Sequence, residues 1–463
     1  MDTQTHIERR RALRSAVTGG AILLVGQQET PRNYLANPYP FRQDSHFLYY
    51  VGTDLPDLAA LILPDGEEIL FGAPEDPDDL VWHGPHPVLG DHAAAAGIAR
   101  HADFSTLGER LASLTAQGTA VHYLPPYRAD RTERLTALLG KSADEVTAGP
   151  SADLVRAVVA QRSIKTDAEV AQIEDALAVS YQMYQAAYPL VAPGRRESEV
   201  AGAMQGVALS HDRAQSFSPI VSVRGEVLHN NTYGNVMQAG DLLLIDSGTE
   251  SPHYYASDIT RTLPVSGTFD PRQRAVYQAV LDSQTAAIAA AKPGVTNKAL
   301  HLIAARTMAS GLKDMGIMKG DVDEAVSVGA HALFYVHGLG HMLGVDVHDM
   351  EDLGDAVGYP EGEPRSDQFG LAFLRLAKPL EAGFVITVEP GIYFVPALIE
   401  RWKAASLHAD FINYQEAEKL VGFGGVRIED DVLITPDGAR ILGKPIPKTI
   451  PEVETALGNN RGD

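Results

Sequence analysis

The sequence predicts an α+β protein built from two domains. Its 463 residues exceed the about 100–200 residues of a usual single domain. Short apolar runs of strand type and longer helical runs follow one another in blocks, rather than in a strict strand–helix–strand repeat. We therefore expect a smaller α/β N-terminal domain at residues 1–158 and a larger α+β domain at residues 159–463.

The N-terminal domain is predicted from apolar runs that Gly, Pro or Asp interrupt, which is typical of strands. Four arginines precede the first run and loosely resemble a signal peptide, but Thr18, Gly19 and Gly20 interrupt the pattern and no small-residue cleavage site follows. We expect the first run to be a buried strand. The predicted strands are AILLVG (21–26), FLYYVG (47–52), LAALILP (58–64) and EEILFG (67–72). The predicted helices are RRALRSAV (10–17), DHAAAAGIARHA (91–102) and RTERLTALLG (131–140).

The C-terminal domain is predicted to open with a long amphipathic helix. Thr166 is a suitable N-cap with Glu169 three positions later, as in a capping box, and Pro193 and Gly194 end the pattern. Further helices are predicted at residues 197–211, 271–291 and 297–316. Strands are predicted within residues 218–225, 241–248, 254–265, 384–394 and 422–436.

Composition excludes several classes of function. The formal net charge of −22 argues against nucleic acid as a partner. The chain has no cysteine, so thiolate metal sites and disulfides are impossible, which fits a cytoplasmic protein. No stretch approaches 18 uninterrupted apolar residues, so we expect no membrane partner.

Four acids stand at the edges of apolar, strand-like runs. Asp246 follows the apolar run LLLI in DLLLIDSG, and Glu389 follows the run VITV in VITVEP. Asp258 lies in YYASDIT and Glu429 in VRIEDD. A bare carboxylate next to a buried strand is costly unless it is paired or bound to metal. Each acid alone is better explained by a turn or a salt bridge. Four in similar contexts favour a metal site.

Three histidines occur between Tyr335 and Asp349, in the stretch YVHGLGHMLGVDVHD. They are His337, His341 and His348, and glycines at 338, 340 and 344 separate them. Imidazoles suit metal ligation and proton transfer, and glycine lets a backbone approach a ligand closely. The HExxH zinc pattern does not fit. The alternative is a glycine-rich loop whose histidines bind water or backbone.

Four carboxylates with one imidazole, His341, form a hard, oxygen-rich ligand set. Such a set suits Mn²⁺ best and also accepts Co²⁺ or Zn²⁺. Without metal, the four negative charges would repel one another. Two divalent ions would neutralise them, and ions about 3.5–4 Å apart can activate water and polarise a carbonyl.

Five segments of the chain resemble the metal-site blocks of the pita-bread metallopeptidases, in the same order. These segments are LLLIDSG, YASDIT, HGLGHMLGVDVHD, TVEPGIY and GGVRIEDDV. The family includes methionine aminopeptidase, aminopeptidase P and prolidase. The likeness extends over residues 160–445, and the N-terminal FRQDSHFLYYVG is similar to the N-domain of aminopeptidase P and prolidase. The resemblance implies a C-terminal pita-bread catalytic domain.

The resemblance also implies a role for each matching residue. Asp246, Asp258, His341, Glu389 and Glu429 match the ligands of two divalent ions. Glu389 also matches a proton shuttle, His348 the histidine that assists the tetrahedral intermediate, and His229 a second pocket histidine. His337 and Arg427 match the substrate side, and Arg427 is also placed to hold a neighbouring acid.

Arg375, in LRLAKPL, distinguishes subfamilies. Prolidases carry a similar arginine, which receives the C-terminal carboxylate of a dipeptide. The insert between Phe394 and Phe423 is similar to prolidase as well, whereas the loop from Met350 to Val357 departs from its pattern. The sequence therefore predicts an Xaa-Pro dipeptidase that acts on Xaa-Pro dipeptides or short proline-containing peptides. The resemblance implies a homodimer or homotetramer.

Two rival functions remain open at this point. Aminopeptidase P would cut longer peptides with proline in second position. A non-catalytic peptide-binding protein of the related creatinase fold would have lost metal ligands. All five ligand positions are intact here, which favours an enzyme.

Overall fold

The computed structural model describes residues 1–74, 79–82 and 84–459. It divides into two compact units. The first unit comprises Met1–Arg162 and Met350–Ala356, and the second comprises Ser163–Asp349 and Val357–Asp463. The boundary differs from the predicted 158/159, and the short segment Met350–Ala356 belongs to the first unit rather than to the C-terminal domain. Among the described residues, no helix is long and apolar enough to cross a membrane.

The first unit is organised around a mixed sheet with strand order β4-β3-β2-β1-β5. Its strands are β1 (Gly20–Val25), β2 (Ala59–Ile62), β3 (Glu68–Gly72), β4 (Arg100–Asp103) and β5 (Ala120–His122). Its helices are α1 (Thr3–Ala16), α2 (Ser45–Tyr50), α3 (Asp79–Trp82), α4 (Leu89–Ala95), α5 (Leu107–Ala116), α6 (Ala129–Leu139), α7 (Ala143–Ala148) and α8 (Ala152–Ser163). The last residue of α8, Ser163, is the first residue of the second unit. All six residues of β1 are buried, which confirms the predicted first strand.

Arg10 of α1 is fully buried. Its guanidinium donates to the carbonyls of Tyr50 and Ala96, each at 2.8 Å, and to the carboxylate of Glu68 at 2.8 Å. These bonds satisfy a charge that would otherwise be costly to bury. At least this member of the N-terminal arginine group is therefore a structural residue.

Two of the predicted elements in the first unit are wrong. The run FLYYVG was predicted as a strand, but helix α2 covers its first four residues. The Asp44 carboxylate caps this helix by accepting from the Phe47 N–H at 3.0 Å, and Gly52 follows it at φ 76°. All six helical residues are buried, so the run has no polar face to reveal its period. The helix predicted at 91–102 ends at Ala95, and after Gly97 (φ 68°) the chain forms β4.

The segment Met350–Ala356 completes the first unit. It forms two short 3₁₀ turns within Glu351–Ala356, separated by a kink at Gly354 (φ 77°). Within this unit, Asp352 Oδ2 lies 3.0 Å from Nε2 of the buried His46, whose Nδ1 lies 2.7 Å from Nη1 of Arg162. The segment therefore belongs to the first unit through specific polar contacts, although it follows the histidine stretch in sequence.

The second unit contains three small sheets with orders β6-β7-β8, β13-β12-β9 and β10-β11. Its strands are β6 (Ile220–Ser222), β7 (Leu242–Ser247), β8 (Ile259–Pro264), β9 (Val385–Val388), β10 (Gly391–Tyr393), β11 (Gly425–Arg427), β12 (Asp430–Ile434) and β13 (Ala439–Ile441). Its helices are α9 (Asp167–Ala187), α10 (Glu197–Ser210), α11 (Pro271–Ala290), α12 (Asn297–Asp314), α13 (Val322–Ser327), α14 (Pro396–Ala404), α15 (Tyr414–Glu418) and α16 (Ile450–Asn459).

The long helix α9 begins as predicted. Thr166 and Glu169 form the capping box, and each side chain bonds to the backbone N–H of the other residue. The helix ends at Ala187, and a 3₁₀ turn at Tyr188–Leu190 precedes Pro193.

Candidate metal centre

Antiparallel pairing brings two of the candidate acids to one end of a sheet. Asp246 lies near the end of β7, and Asp258 immediately precedes β8. The register pairs Asp246 with Thr260, two residues beyond Asp258. Successive strand residues point to opposite faces, so Asp258 and Thr260 share a face. The eleven residues between the two acids therefore act as a hairpin that places both at the same edge.

The other two acids lie on the neighbouring strands β9 and β12. Glu389 directly follows β9 and Glu429 directly precedes β12, and the register pairs Val388 with Asp430. An isolated bridge then joins Thr260 to Glu429, where the Glu429 N–H donates to the Thr260 carbonyl at 3.1 Å. This bridge connects the two sheets and brings their acidic ends together.

His341 is positioned by the strand that leads to Glu389. The Thr387 N–H donates to the His341 carbonyl at 3.0 Å, and the His341 N–H donates to Thr387 Oγ1 at 3.1 Å. A Cβ at Gly340 would lie 2.0 Å from the Thr387 carbonyl oxygen. Glycine is therefore required at this position because the two backbones approach so closely.

The side chains of these residues converge. One ligand atom from each of Asp258, His341 and Glu429 lies within 4.8 Å of the others. His341 Nε2 is 3.5 Å from Asp258 Oδ2 and 3.8 Å from Glu389 Oε1. Asp246 acts electrostatically on both Asp258 and Glu429. The five predicted ligand positions thus form one cluster.

The electrostatics of the cluster fit bound cations. Burial raises the pKa of Asp258 well above its usual range, and the nearby Glu429 and Asp246 carboxylates raise it further. Burial and the Glu389 and Asp246 carboxylates do the same to the pKa of Glu429. Asp246 Oδ1 and Asp258 Oδ1 are buried and accept no hydrogen bond from the described residues. Divalent cations would satisfy these oxygens and remove the repulsion.

Three further histidines surround the cluster. His348 packs edge-on against His341 with ring centroids 4.2 Å apart. Burial is the main cause that lowers the pKa of His348 to about 2, and the positive charges of His341 and Arg375 contribute less. His337 Nδ1 is 3.9 Å from Glu389 Oε2. His229 is exposed, but its charge contributes to the lowered pKa values of His337 and His348.

Arg375 also lies close enough to act on this group. It is half-buried, and its positive charge helps to lower the pKa of His337, His341 and His348. In each case burial is the largest cause of the shift. A cation beside neutral imidazoles is suited to receive an anionic group of a ligand.

Arg427 is buried against a candidate ligand. Its Nη2 is 2.5 Å from Asp246 Oδ2, its Nη1 donates to the Tyr393 hydroxyl at 2.9 Å, and its Nε donates to Thr260 Oγ1 at 3.1 Å. Tyr393 in turn lies 2.8 Å from His337 Nε2. Arg427 thereby orients one acid of the cluster and is connected to His337 through the Tyr393 hydroxyl.

Sequence reasoning missed several residues that support the cluster. Tyr393 and Thr260 connect the groups described above, and Asp431 Oδ2 accepts from the Asp258 N–H at 3.1 Å. Lys165 Nζ forms a buried ion pair with Oδ2 of Asp349 at 3.0 Å, and Asp349 directly follows His348 in the sequence. Tyr393, Thr260 and Asp431 lie inside the quoted sequence blocks, which was the available signal. Nothing near Lys165 in sequence marks it.

The chain thus combines two compact units with a buried cluster of carboxylates and a histidine that could hold a metal ion. Residues 171–436 match metallopeptidase family M24, and residues 6–122 match the aminopeptidase P N-terminal domain. The chain therefore belongs to metallopeptidase family M24. This membership confirms the predicted fold class and the prediction of a metallopeptidase, and it implies divalent metal ions.

Proteins similar to this chain are named either Xaa-Pro dipeptidase or Xaa-Pro aminopeptidase. The human Xaa-Pro dipeptidase is 33% identical over 99% of this chain and 92% of its own length. A probable Xaa-Pro aminopeptidase PEPP of Phaeosphaeria nodorum is 32% identical over 95% of this chain and 92% of its own. Among solved structures, Pseudomonas aeruginosa aminopeptidase PepP matches with a TM-score of 0.82 at 28% identity, covering 100% of this chain and 99% of that one. Zinc-substituted Escherichia coli aminopeptidase P with product has the same TM-score at 29% identity and covers both chains fully.

Proposed function

We propose that the protein is a two-metal Xaa-Pro peptidase that hydrolyses the peptide bond before proline, with Xaa-Pro dipeptides as its main substrates. The observation that carries this proposal is the convergence of Asp258, His341 and Glu429 within 4.8 Å, next to Glu389 and Asp246. The names of the human and fungal relatives support the choice of an Xaa-Pro bond.

Asp246, Asp258, His341, Glu389 and Glu429 are the proposed residues that would hold two divalent ions. Mn²⁺ is the proposed metal because carboxylate oxygens dominate the set. Co²⁺ and Zn²⁺ are the alternatives. When bound, the ions would supply an activated water and polarise the carbonyl before proline.

Three side chains of the protein would then carry the remaining steps. Glu389, which is half-buried, would accept the proton of the attacking water and pass it to the leaving imino nitrogen. His348 would donate a hydrogen bond to the oxygen of the tetrahedral intermediate. His337 would line the proline pocket. Burial lowers its pKa to about 3, so it would do this as a neutral imidazole.

Arg375 is proposed to bind the free C-terminal carboxylate of the dipeptide, and His229 to lie at the pocket rim. The support for Arg375 is its charge acting on His337, His341 and His348 together. A guanidinium–carboxylate pair would favour dipeptides, because an extended peptide has no carboxylate at that point. Arg427 is proposed to act on the substrate indirectly, through Asp246 and Tyr393.

Aminopeptidase P is the second candidate. The fungal relative carries an aminopeptidase name, and the solved aminopeptidase P structures match the whole chain with a TM-score of 0.82. An enzyme of this type would cut tripeptides and longer peptides at least as fast as dipeptides.

Rates on Ala-Pro and Ala-Pro-Ala with added Mn²⁺ test the choice. We expect faster cleavage of Ala-Pro, and faster cleavage of Ala-Pro-Ala would favour aminopeptidase P. Arg375→Ala should lower kcat/KM for Ala-Pro selectively, and Arg375→Lys should retain part of it. Asp258→Ala and His341→Ala should abolish both activities. Full activity in either variant would contradict the proposed metal ligands.

The oligomeric state and the location in the cell complete the proposal. A homodimer or homotetramer follows from the family resemblance, and a cytoplasmic location is supported by the complete lack of cysteine. Sedimentation and cell fractionation would test these two proposals.

A further inference from the structure

The backbone that carries Arg375 is held by hydrogen bonds on both sides. Before it, the Leu374 carbonyl accepts from the Tyr359 hydroxyl at 2.8 Å and from Arg365 Nη1 at 2.7 Å. After it, the Leu376 carbonyl accepts from Nδ2 of the fully buried Asn297 at 3.0 Å. The two carbonyls that flank Arg375 are therefore both fixed by side chains rather than by regular secondary structure.

A close backbone contact strengthens this arrangement. The Gly358 carbonyl accepts from the N–H groups of Ala377 and Lys378 at 2.8 and 2.9 Å. A Cβ at Gly358 would lie 1.9 Å from the Arg375 carbonyl oxygen, so a larger residue would push the two segments apart. The segment that contains Tyr359 and Arg365 is thus closely bound to the segment that contains Arg375.

Tyr359 and Arg365 also contact each other. The Arg365 guanidinium carbon lies 4.9 Å from the centroid of the Tyr359 ring. Tyr359 is buried and packs in a cluster with Leu371, Leu374 and Ala377, whereas Arg365 is exposed. The ring thus provides a platform that directs Arg365 towards the Leu374 carbonyl.

We propose that Tyr359 and Arg365 are positioning residues that direct Arg375 towards the substrate carboxylate, and so determine the preference for dipeptides over longer peptides. This inference rests on the proposed role of Arg375. A long side chain with several rotatable bonds receives a carboxylate well only if its backbone is held in one orientation. Two donors on one carbonyl hold that orientation more firmly than one.

Tyr359→Phe and Arg365→Gln test the inference, because each removes one donor to the Leu374 carbonyl. We expect the KM for Ala-Pro to rise about fivefold in each variant, with kcat nearly unchanged. The kcat/KM for Ala-Pro-Ala should remain within twofold of the unmodified enzyme. Arg365→Lys, which keeps a donor, should restore part of the loss. In an Arg375→Ala background, both changes should have no further effect on Ala-Pro.

Matched controls separate positioning from a general structural effect. Tyr277 is another buried tyrosine that donates to a backbone carbonyl, that of Lys448 at 2.8 Å. Arg272 is another exposed arginine that donates to a carbonyl, that of Lys419 at 3.5 Å. Tyr277→Phe and Arg272→Gln should leave the ratio of the two kcat/KM values unchanged, whatever they do to the melting temperature.

The outcomes distinguish the inference from the function on which it rests. If Arg375→Ala is selective for Ala-Pro but Tyr359→Phe and Arg365→Gln behave like the controls, or add to Arg375→Ala, the inference is wrong and the proposed function stands. If Arg375→Ala lowers both substrates equally, the carboxylate role fails and the inference fails with it. Should Arg365→Gln not fold, the conservative Tyr359→Phe decides alone.

Discussion

Thr260 Oγ1 lies 2.6 Å from Glu429 Oε2 and donates its proton to that carboxylate. The same oxygen accepts from Arg427 Nε at 3.1 Å, which leaves the hydroxyl proton available for the Glu429 carboxylate. One hydroxyl therefore orients a proposed metal ligand on one side and, through Arg427, is connected to Asp246 on the other.

Thr260→Val should weaken metal binding, because valine keeps the shape but removes the hydroxyl. Loss of such a supporting bond commonly costs 10- to 100-fold in metal affinity. Titration of metal-free protein with Mn²⁺, followed by calorimetry, measures the change. Thr285→Val is the control, since its hydroxyl bonds to the Leu281 carbonyl inside a helix. Equal affinities for Thr260→Val and the unmodified protein would show that the hydroxyl does not support the site.

Removal of metal should lower the melting temperature. Metal at the proposed cluster would bind the native state and not the unfolded chain, so a metal concentration of 100 times the Kd would add about 2.7 kcal/mol of stability. Adding a chelator and then an excess of Mn²⁺ should lower and restore the midpoint in a thermal scan. The Asp258→Ala variant should show a much smaller response. A chelator-insensitive midpoint in the unmodified protein would speak against a resident metal.

Lys165→Met should strongly destabilise the protein. The ion pair with Asp349 is buried on both sides, with each side chain 1% exposed, and removing one partner of such a pair costs about 3–5 kcal/mol. Adding Asp349→Asn to Lys165→Met should recover part of this loss, because the Asp349 carboxylate that had lost its lysine partner is then replaced by a neutral amide. Denaturant midpoints measure both effects.

The exposed pair Lys403–Glu418 provides the control for that experiment. Its side chains are 49% and 43% exposed, so Lys403→Met should cost less than about 1 kcal/mol. If the two lysine variants lose the same stability, burial does not determine the strength of the Lys165–Asp349 pair.

His301 should make the protein sensitive to acid. It is fully buried, and this burial is the main cause that lowers its pKa to about 3. The nearby His331 and His337 lower the pKa further. The unfolded residue has a pKa of about 6.5, so below pH 6.5 the unfolded chain binds a proton that the native state excludes. The free energy of unfolding therefore falls as the pH falls from 6.5 towards 3, by about 2 kcal/mol between pH 7 and pH 5 from this residue.

His301→Phe should reduce that difference between pH 7 and pH 5, even if the variant is less stable at both. Phenylalanine can retain the stacking on Tyr335, whose ring centroid lies 4.8 Å away. Denaturant unfolding at the two pH values gives the comparison, with the exposed His211→Phe as control. An unchanged difference in His301→Phe would mean that His301 is not the source of the acid sensitivity.

The sequence predicted those parts of the site that depend on local pattern. Asp246, Asp258, Glu389 and Glu429 could be found because each stands where an apolar run meets a polar residue. The partners of these acids could not be found in this way. Thr260 and Glu429 are 169 residues apart in sequence, and Lys165 and Asp349 are 184 apart. Such contacts arise from the way strands pair, which apolar periodicity does not encode.

The wrong strand prediction at FLYYVG has a different physical cause. Helix and strand are told apart by the spacing of polar residues, and every residue of α2 is buried. The N-cap at Asp44 was the remaining local signal for a helix. The assignment of Met350–Ala356 to the first unit had no local signal, since it depends on Asp352 meeting His46, 306 residues away.

Because Met350–Ala356 belongs to the first unit, that unit cannot be completed until residue 356 has been synthesised. Ribosomes add about 5–20 residues per second, so the segment that contains Asp352 emerges about 10–40 s after Arg162. Until then, Nε2 of the buried His46 lacks its contact with Asp352, although Arg162 already lies beside Nδ1 of the same ring. Truncation before Met350 should therefore leave an N-terminal fragment that lacks the contact between Asp352 and His46 and folds incompletely.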